Sequence, residues 1–298
     1  MGKDKSITLG ITFAIIGIVL FSAKAVMVKL AYTYNIDSVT LLLFRMIFAF
    51  PFYLAIALWN KPKLNTQLVS KDYLWLIFFG FIGYYMASWF DFEGLQYLKA
   101  GLERIILFVY PTLVVLLSWL FFKKKLSKIQ YIAILITYIG VLITFWQEIA
   151  LAGENMYLGV FLIFMSALTY ASYLVGSGWL IPKFGVVNFT AYSMIVSTFC
   201  VVVHYSIVGN FDLFNYPKHV YFLGIAMALL STLIPSFLVS MAIEKLGAST
   251  FSIFGSLGPV STIILAYLFL DEYITLIQVL GMCIVILGVS IVSKKKNN

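Results

Sequence analysis

The sequence predicts an all-α polytopic membrane protein whose ten transmembrane helices form two inverted five-helix repeats. Three observations support this fold class. The 298-residue chain is 62% hydrophobic and only 11% charged, whereas a soluble domain is about 45–50% apolar and about 25% charged. Many of its apolar runs are long enough to cross a bilayer. The second half of the chain also matches the first at a constant spacing.

The first apolar run extends from about Leu9 to Tyr32 and follows Lys3 and Lys5. It is too long for the apolar segment of a signal peptide and has no convincing cleavage site, so we expect a retained helix. Since a membrane helix needs about 20 mostly apolar residues, a scan of the chain predicts ten spans. They are roughly 8–32, 37–59, 72–96, 100–122, 128–146, 155–179, 187–209, 218–243, 248–270 and 274–293.

The basic residues outside the spans predict the orientation, because cytoplasmic loops carry an excess of lysine and arginine. If both termini are cytoplasmic, the outer loops hold only Lys99 and Lys218, and the other basic loop residues all lie inside. The net charge of +8 therefore reflects membrane topology and does not indicate nucleic-acid binding. We expect an integral protein of a bacterial inner (plasma) membrane.

The chain contains an internal repeat. Residues 98–122, LKAGLERIILFVYPTLVVLLSWLFF, align without a gap with residues 246–270, LGASTFSIFGSLGPVSTIILAYLFL. Pro259 follows Pro111 by 148 residues, and the match continues to Gly140 and Gly288. Two repeats are predicted, 1–149 and 150–298, and five helices in each would place the second copy upside down. Inverted repeats around a midplane site are a common construction of secondary transporters.

The matched prolines are candidate hinges. Pro111 and Pro259 each fall inside a predicted helix, where proline removes a backbone hydrogen bond and kinks the chain. Small residues at 133 and 140, and at 281 and 288, predict a close-packed face. This face is expected to hold the scaffold together, so a monomer is favoured over a homodimer.

The stretch LQYLKAGLERIILFVYPTLVVLLSWLF, residues 95–121, resembles the EamA-like branch of the drug/metabolite transporter superfamily. The resemblance extends over essentially the whole chain and includes FSAKAVMVKLAY at 21–32. It implies a secondary carrier, usually an exporter of amino acids or related small metabolites. It does not specify the substrate.

Seven charged residues lie within the predicted spans of the first repeat, in their outer halves: Lys24, Lys29, Arg45, Asp91, Glu93, Glu103 and Arg104. Unpaired charges in a bilayer are costly and mark functional sites by default. We therefore expect a paired network in which Lys24 and Arg45 meet Asp91 or Glu103. Glu103 and Arg104 are adjacent, so they point about 100° apart on a helix and cannot both face one site.

Three interpretations of this network remain open. It binds the carboxylate and ammonium of a substrate, it forms an extracellular gate, or it holds the helices together. If transport is coupled to protons, Asp91 and Glu93 are the candidate carriers. The alternative is facilitated exchange without coupling.

A polar and aromatic stripe is predicted on the span at 155–179. Residues 166, 170, 173 and 177 follow helical spacing, which makes Tyr170 and Tyr173 candidates for the wall of a cavity. Ser231, Thr232 and Ser236 are expected to contribute to the same wall.

The sequence contains no phosphate-binding loop, no HExxH, no CxxC and no GxSxG motif. We therefore predict no enzymatic activity, no cofactor and no metal. The favoured function is secondary transport, by alternating access, of a small polar metabolite such as an amino acid. An exchanger of organic anions or phosphorylated metabolites is the alternative, and a membrane sensor without transport is the alternative of another class.

Overall fold

The computed structural model describes residues 2–60, 68–122, 128, 131–132, 135–136, 138–140, 142–143, 155–255, 257–273 and 275–294. All regular structure in these ranges is helical. Within these described ranges, eight helices are long and apolar enough to cross a membrane. The protein is therefore an integral membrane protein by the length and composition of its helices.

The described residues of the first half form four long helices. α1 is Gly2–Tyr32 and α2 is Ser38–Trp59. α3 runs through Ser70–Gly80, Phe81–Met86 and Ala87–Tyr97. α4 has two pieces, Ala100–Leu107 and Tyr110–Phe122.

Five helices follow in the part of the second half that the structure describes. α5 is Met156–Phe184 and α6 is Val186–Val208. α7 runs through Lys218–Ala228, Leu229–Leu233 and Ile234–Leu246. α8 has two pieces, Ala248–Phe254 and Leu257–Leu270, and α9 is Leu276–Lys294.

Eight of the ten predicted spans coincide with long apolar helices. The last span, 274–293, coincides with α9, whose apolar part is shorter, Leu276–Gly288. The span at 128–146 lies mostly outside the described residues. Gly140, one of its described residues, is so close to α9 that an added Cβ would lie 2.7 Å from the Gly281 carbonyl oxygen, as the predicted small-residue face requires.

Local sequence explains where several helices begin. Asp37 precedes α2 and accepts hydrogen bonds from the Thr40 backbone N–H at 2.8 Å and the Thr40 hydroxyl at 2.6 Å, which satisfies an N–H at the helix start. Gly185 and Gly247 separate α5 from α6 and α7 from α8, and their φ angles are 76° and 79°. Only glycine adopts such angles without strain.

Two of the helices contain a π-helical segment at corresponding places. In α3 it is Phe81–Met86 and in α7 it is Leu229–Leu233, so the second begins 148 residues after the first. This spacing equals the one in the sequence alignment. π-Helical segments inside α-helices are rare and frequently lie at functional sites.

α4 and α8 are interrupted just before their prolines. The first piece of α4 ends at Leu107 and the second begins at Tyr110, because Pro111 has no N–H to donate to the carbonyl of Leu107. α8 is interrupted at Gly255, four residues before Pro259. The predicted distortions are therefore present in both helices.

The two halves of the chain pack mainly on each other. α1 packs on α7 and α8, α2 packs on α6, and α3 packs on α5. The first helix of the first half thus pairs with the third helix of the second half, and the third helix of the first half pairs with the first helix of the second. Large apolar side chains such as Leu58, Phe199 and Phe222 remain exposed, as expected for a surface in contact with lipid.

Candidate functional site

A cavity of about 80 Å³ lies between α1, α2, α3, α4, α5 and α8. Its polar lining residues are Lys24, Arg45, Tyr84, Ser88, Arg104, Tyr110, Ser166 and Tyr170. Since one water molecule needs about 10–15 Å³ of such space, the cavity holds on the order of five to eight waters. Its size therefore fits a small solute.

Lys24 joins the cavity to a buried pair of acids. Its Nζ lies 2.5 Å from Asp91 Oδ2 and 3.9 Å from Glu103 Oε1. The exposed fractions of the three side chains are 10%, 1% and 0%. Lys24 lines the cavity and the two acids do not. The expected pairing of Lys24 with Asp91 or Glu103 is therefore present, and the acids lie behind the lysine.

Asp91 and Glu103 have the Lys24 ammonium as their common neighbour. We refer to Lys24, Asp91 and Glu103 as the acid–lysine cluster. It brings together α1, α3 and α4, which are distant in sequence. Removing one partner of a buried ion pair leaves an uncompensated charge, so the three side chains depend on one another.

Arg45 is 2% exposed and projects from α2. Its Nε donates to the Thr232 hydroxyl at 2.7 Å, and its Nη2 donates to the Ser88 hydroxyl at 3.3 Å. The guanidinium carbon lies 5.3 Å from the centre of the Phe92 ring. Of the described carboxylates, none forms an ion pair with Arg45, which corrects the expectation that it meets Asp91 or Glu103. Asp91 attracts it only from a longer distance.

Arg104 is held in a parallel way from α4. Its Nε donates to the Thr262 hydroxyl at 2.9 Å, and its Nη2 donates to the Phe21 carbonyl at 2.9 Å. Arg104 faces the cavity while Glu103 faces the acid–lysine cluster, as their adjacent positions on a helix require. Each cavity arginine thus gives its Nε to a threonine from the second half of the chain.

Glu93 does not line the cavity. It accepts a short hydrogen bond from the Ser38 hydroxyl, near the start of α2. Close to it along α3, the Tyr32 hydroxyl donates to the Phe92 carbonyl at 2.6 Å and Lys29 Nζ donates to the Leu95 carbonyl at 3.2 Å. These contacts fasten the end of α1 to the end of α3, so the structure separates Glu93 from the acid–lysine cluster.

Glu272 fastens the same end of the bundle from the second half. Its two carboxylate oxygens accept the backbone N–H groups of Ala100 and Gly101 at 3.0 and 3.1 Å. A carboxylate is stabilised at this position by the unpaired N–H groups and the dipole of a helix start. Sequence analysis did not identify this contact, because Glu272 lies in a loop 172 residues beyond its partner.

Tyr170 lines the cavity and Tyr173 does not. The Tyr170 ring packs edge-on against Tyr110, with centroids 5.3 Å apart. Tyr173 is 1% exposed and packs behind the cavity against Tyr84 and Phe189, at centroid distances of 4.7 and 5.8 Å. The predicted stripe on α5 therefore divides into two lining residues, Ser166 and Tyr170, and two buried packing residues, Tyr173 and Ser177.

A second, apolar cavity of about 290 Å³ lies on the aromatic face of α3 and α5. Trp75, Phe78 and Trp179, which line it, are 36–46% exposed. Its described lining contains no charged side chain, so it offers an aromatic groove facing lipid and no means of orienting a polar solute. The smaller cavity, where three cationic side chains face the same space, is the candidate functional site.

A sequence profile of the EamA-like transporter family matches the chain twice, over residues 8–146 and 157–294. The chain belongs to the EamA-like transporter family. The "Uncharacterized transporter YcbK" of Bacillus subtilis (strain 168) is 30% identical over 285 residues, which cover 94% of this chain and 91% of that protein. The "Uncharacterized transporter sll1319" of Synechocystis sp. is 26% identical and covers 87% of this chain and 80% of that protein.

A solved structure, described as "Crystal structure of protein", has the same fold, with a TM-score of 0.70 at 13% identity over 98% of this chain and 99% of that one. The EamA relatives are transporters by name, which agrees with a membrane protein that carries a small-molecule substrate.

In this EamA protein, sequence analysis placed Lys24 and Arg45 at the site. It left out Arg104 and Ser88, although the intramembrane charge of Arg104 was already a signal.

Proposed function

We propose that this EamA protein is a secondary transporter that exports a small polar metabolite, an amino acid or a relative, by alternating access. The observation that carries the proposal is the small cavity, to which both halves of the chain contribute and in which Lys24, Arg45 and Arg104 face one space. A cavity of about 80 Å³ fits a solute of a few heavy atoms, and its polar groups can hold the solute in one orientation.

The helix distortions around this cavity support alternating access. Gly83 and Tyr84 of the π-helical segment of α3 line it, and so do Phe108 and Gly255 at the interruptions of α4 and α8. Backbone that already departs from regular helix bends more easily. We therefore assign Pro111 and Pro259 the role of hinges, between two inverted units, 1–149 and 150–298, with both termini in the cytoplasm.

Counterflow in liposomes tests this function. The full chain is reconstituted in vesicles that contain unlabelled amino acids and organic acids, and entry of labelled solute is measured against protein-free vesicles. Ala87 lines the cavity and is 6% exposed, so Ala87→Leu should fill the space and stop exchange. Ala55→Leu, at a half-buried site of α2 away from the cavity, is the matched control and should exchange like the wild type.

Thermal unfolding of both variants establishes that they are folded. If a solute stabilises the protein but no solute crosses the membrane, the protein is a sensor and the proposal is wrong. Exchange that Ala87→Leu leaves unchanged would remove the cavity from the transport path. In whole cells, export predicts that the protein lowers the internal concentration of its solute.

A further inference from the structure

Arg45 contains hydrogen-bond donors that the described protein atoms do not use. A guanidinium carries five N–H donors and is always charged. Nε is taken by Thr232 and one Nη2 donor by Ser88. Nη1 is buried and has no hydrogen-bond partner among the described residues. A buried charged donor without an acceptor is strongly unfavourable, so the cavity is built for an acceptor that comes from outside the protein.

Arg104 presents the same arrangement to the same cavity. Thr262 takes its Nε and the Phe21 carbonyl takes one Nη2 donor, and none of the described residues accepts from its Nη1. The two guanidinium groups are fixed by the same pattern of bonds, and in each the Nη1 end is left for a ligand. Fixed, planar donors of this kind bind carboxylates in a defined geometry.

The charges around the cavity indicate a ligand with a negative charge. Three cations, Lys24, Arg45 and Arg104, line it, and Asp91 and Glu103 lie behind Lys24. Since the two acids carry at most two negative charges against three cations, at least one positive charge is in excess. Lys24 forms an ion pair with Asp91 at 2.5 Å, whereas neither arginine forms an ion pair with a described carboxylate. The excess positive charge therefore resides on the arginines.

We propose that Arg45 and Arg104 together bind the carboxylate of a small organic monoanion, and that Lys24 is a positioning residue that does not contact the substrate. This inference rests on the proposed transport function and specifies its substrate class. The carboxylate takes up the Nη1 donors of both arginines, and the Ser88 hydroxyl lies beside it.

The lining of the cavity also indicates what the rest of the substrate is. Its described residues include no carboxylate, so a substrate ammonium has no acidic partner there. An amino group is therefore not required, and an organic acid of the same size binds at least as well as the corresponding amino acid. Phe21, Leu107 and Phe108 provide apolar surface for a short carbon chain.

Two pairs of matched probes test the substrate class. Propionate and propionamide have nearly the same shape and differ in charge, as do L-alanine and L-alaninamide. The shift in unfolding temperature of the full chain in detergent is measured with each probe and with inorganic phosphate. We expect propionate and L-alanine to raise the unfolding temperature, and the two amides and phosphate to leave it unchanged.

Substitutions test whether the two arginines bind the carboxylate of the substrate. Charge-assisted hydrogen bonds of the expected kind correspond to roughly a tenfold to hundredfold change in affinity, so Arg45→Gln and Arg104→Gln should each weaken propionate binding by that factor. Arg45→Lys and Arg104→Lys keep the charge and serve if a glutamine variant does not fold. Lys218→Gln, which removes an exposed charge at the start of α7, is the control and should bind propionate normally.

The outcomes separate this inference from the proposed function. Stabilisation by L-alaninamide or by phosphate but not by propionate overturns the monoanion, while counterflow of either solute would still support transport. Normal propionate binding by both arginine variants overturns the assignment of the site. Absence of counterflow with every labelled solute contradicts the transport function itself.

Discussion

The two halves of the chain have similar frameworks and different chemistry. Each half has a π-helical segment and, just after a helix break, a proline, and both features recur after 148 residues. The charged residues that line the cavity nevertheless all come from the first half. The second half supplies hydroxyl groups, and Thr232 and Thr262 each accept from the Nε of one arginine.

The difference shows how a duplicated chain can keep its backbone geometry while only one copy supplies the charged residues of the site. At the same spacing of 148, Arg45 corresponds to Ser193. Ser193 is buried against α3, where an added Cβ on Gly80 would lie 2.9 Å from the Ser193 carbonyl oxygen. Close helix packing therefore occupies the place that a second arginine would need.

The largest expected loss of stability comes from removing the charge of Lys24, in the half that supplies the charged residues of the cavity. Lys24→Met leaves Asp91 and Glu103 buried together without their lysine, and removing one partner of a buried ion pair costs about 3–5 kcal/mol. Asp91→Asn should cost less, because Glu103 Oε1 is 3.9 Å from the ammonium and can replace the lost partner. Thermal unfolding in detergent measures both.

Lys29→Met is the control for that experiment. Lys29 is half-buried on the same helix, and its one hydrogen bond to a described residue goes to the Leu95 carbonyl. Lys29→Met should therefore lower the stability much less than Lys24→Met. If Asp91→Asn is at least as destabilising as Lys24→Met, the cluster is not organised around the lysine.

The next largest loss of stability is expected from removing the hydroxyl groups by which the second half holds the arginines. Thr232→Val keeps the shape of the side chain and removes the acceptor of Arg45 Nε. Hydrogen bonds to charged groups contribute about 1.5–3 kcal/mol. Thr262→Val should cost less, since Arg104 is only half-buried. Thr198→Val is the control, because the buried Thr198 hydroxyl donates to the Met194 carbonyl within its own helix.

Unfolding temperatures compare these three variants, and solute affinity is measured on the same samples. If Thr232→Val is no more destabilising than Thr198→Val, the second half does not hold the arginine. In that case the division of roles between the halves would be incorrect.

The sequence predicts which charged residues lie in the membrane and in which half of the chain, but it does not predict which side chains pair. Hydropathy and charge identified Lys24, Arg45, Asp91 and Glu103 as intramembrane residues at similar depth, because position along a helix sets depth at about 1.5 Å per residue. Which side chains meet depends on the rotation of each helix about its axis and on its neighbours. Arg45 therefore bonds to Thr232, a partner 187 residues away, and Glu93 to Ser38.

A third effect tests the close contact between the halves. An added Cβ on Gly83, in the π-helical segment of α3, would overlap the Tyr173 side chain of α5. Overpacking of this kind typically costs about 1–3 kcal/mol, so Gly83→Ala should lower the unfolding temperature. Gly178→Ala is the control, because its nearest neighbour would be the Ala248 Cβ at an ordinary 3.6 Å. Equal stability of the two variants would mean that α3 and α5 can separate at this point without loss.

The smallest expected effect comes from an ion pair that joins the two halves. Lys183 Nζ lies 2.5 Å from Asp72 Oδ1, the same distance as between Lys24 and Asp91. Asp72 lies in the first turn of α3 and Asp91 is 19 residues further along it, which is about 28 Å in a helix. The Lys183 side chain is 32% exposed, against 10% for Lys24, so water and salt weaken its pair.

Lys183→Met should therefore be only slightly destabilising at low salt and close to neutral at high salt. The loss from Lys24→Met should persist as NaCl is added, because a buried pair is screened much less. Unfolding temperatures of the two variants across a salt series decide between distance and burial as the source of the difference. Equal losses at every salt concentration would show that the Asp72 pair is as critical as the cluster beside the cavity.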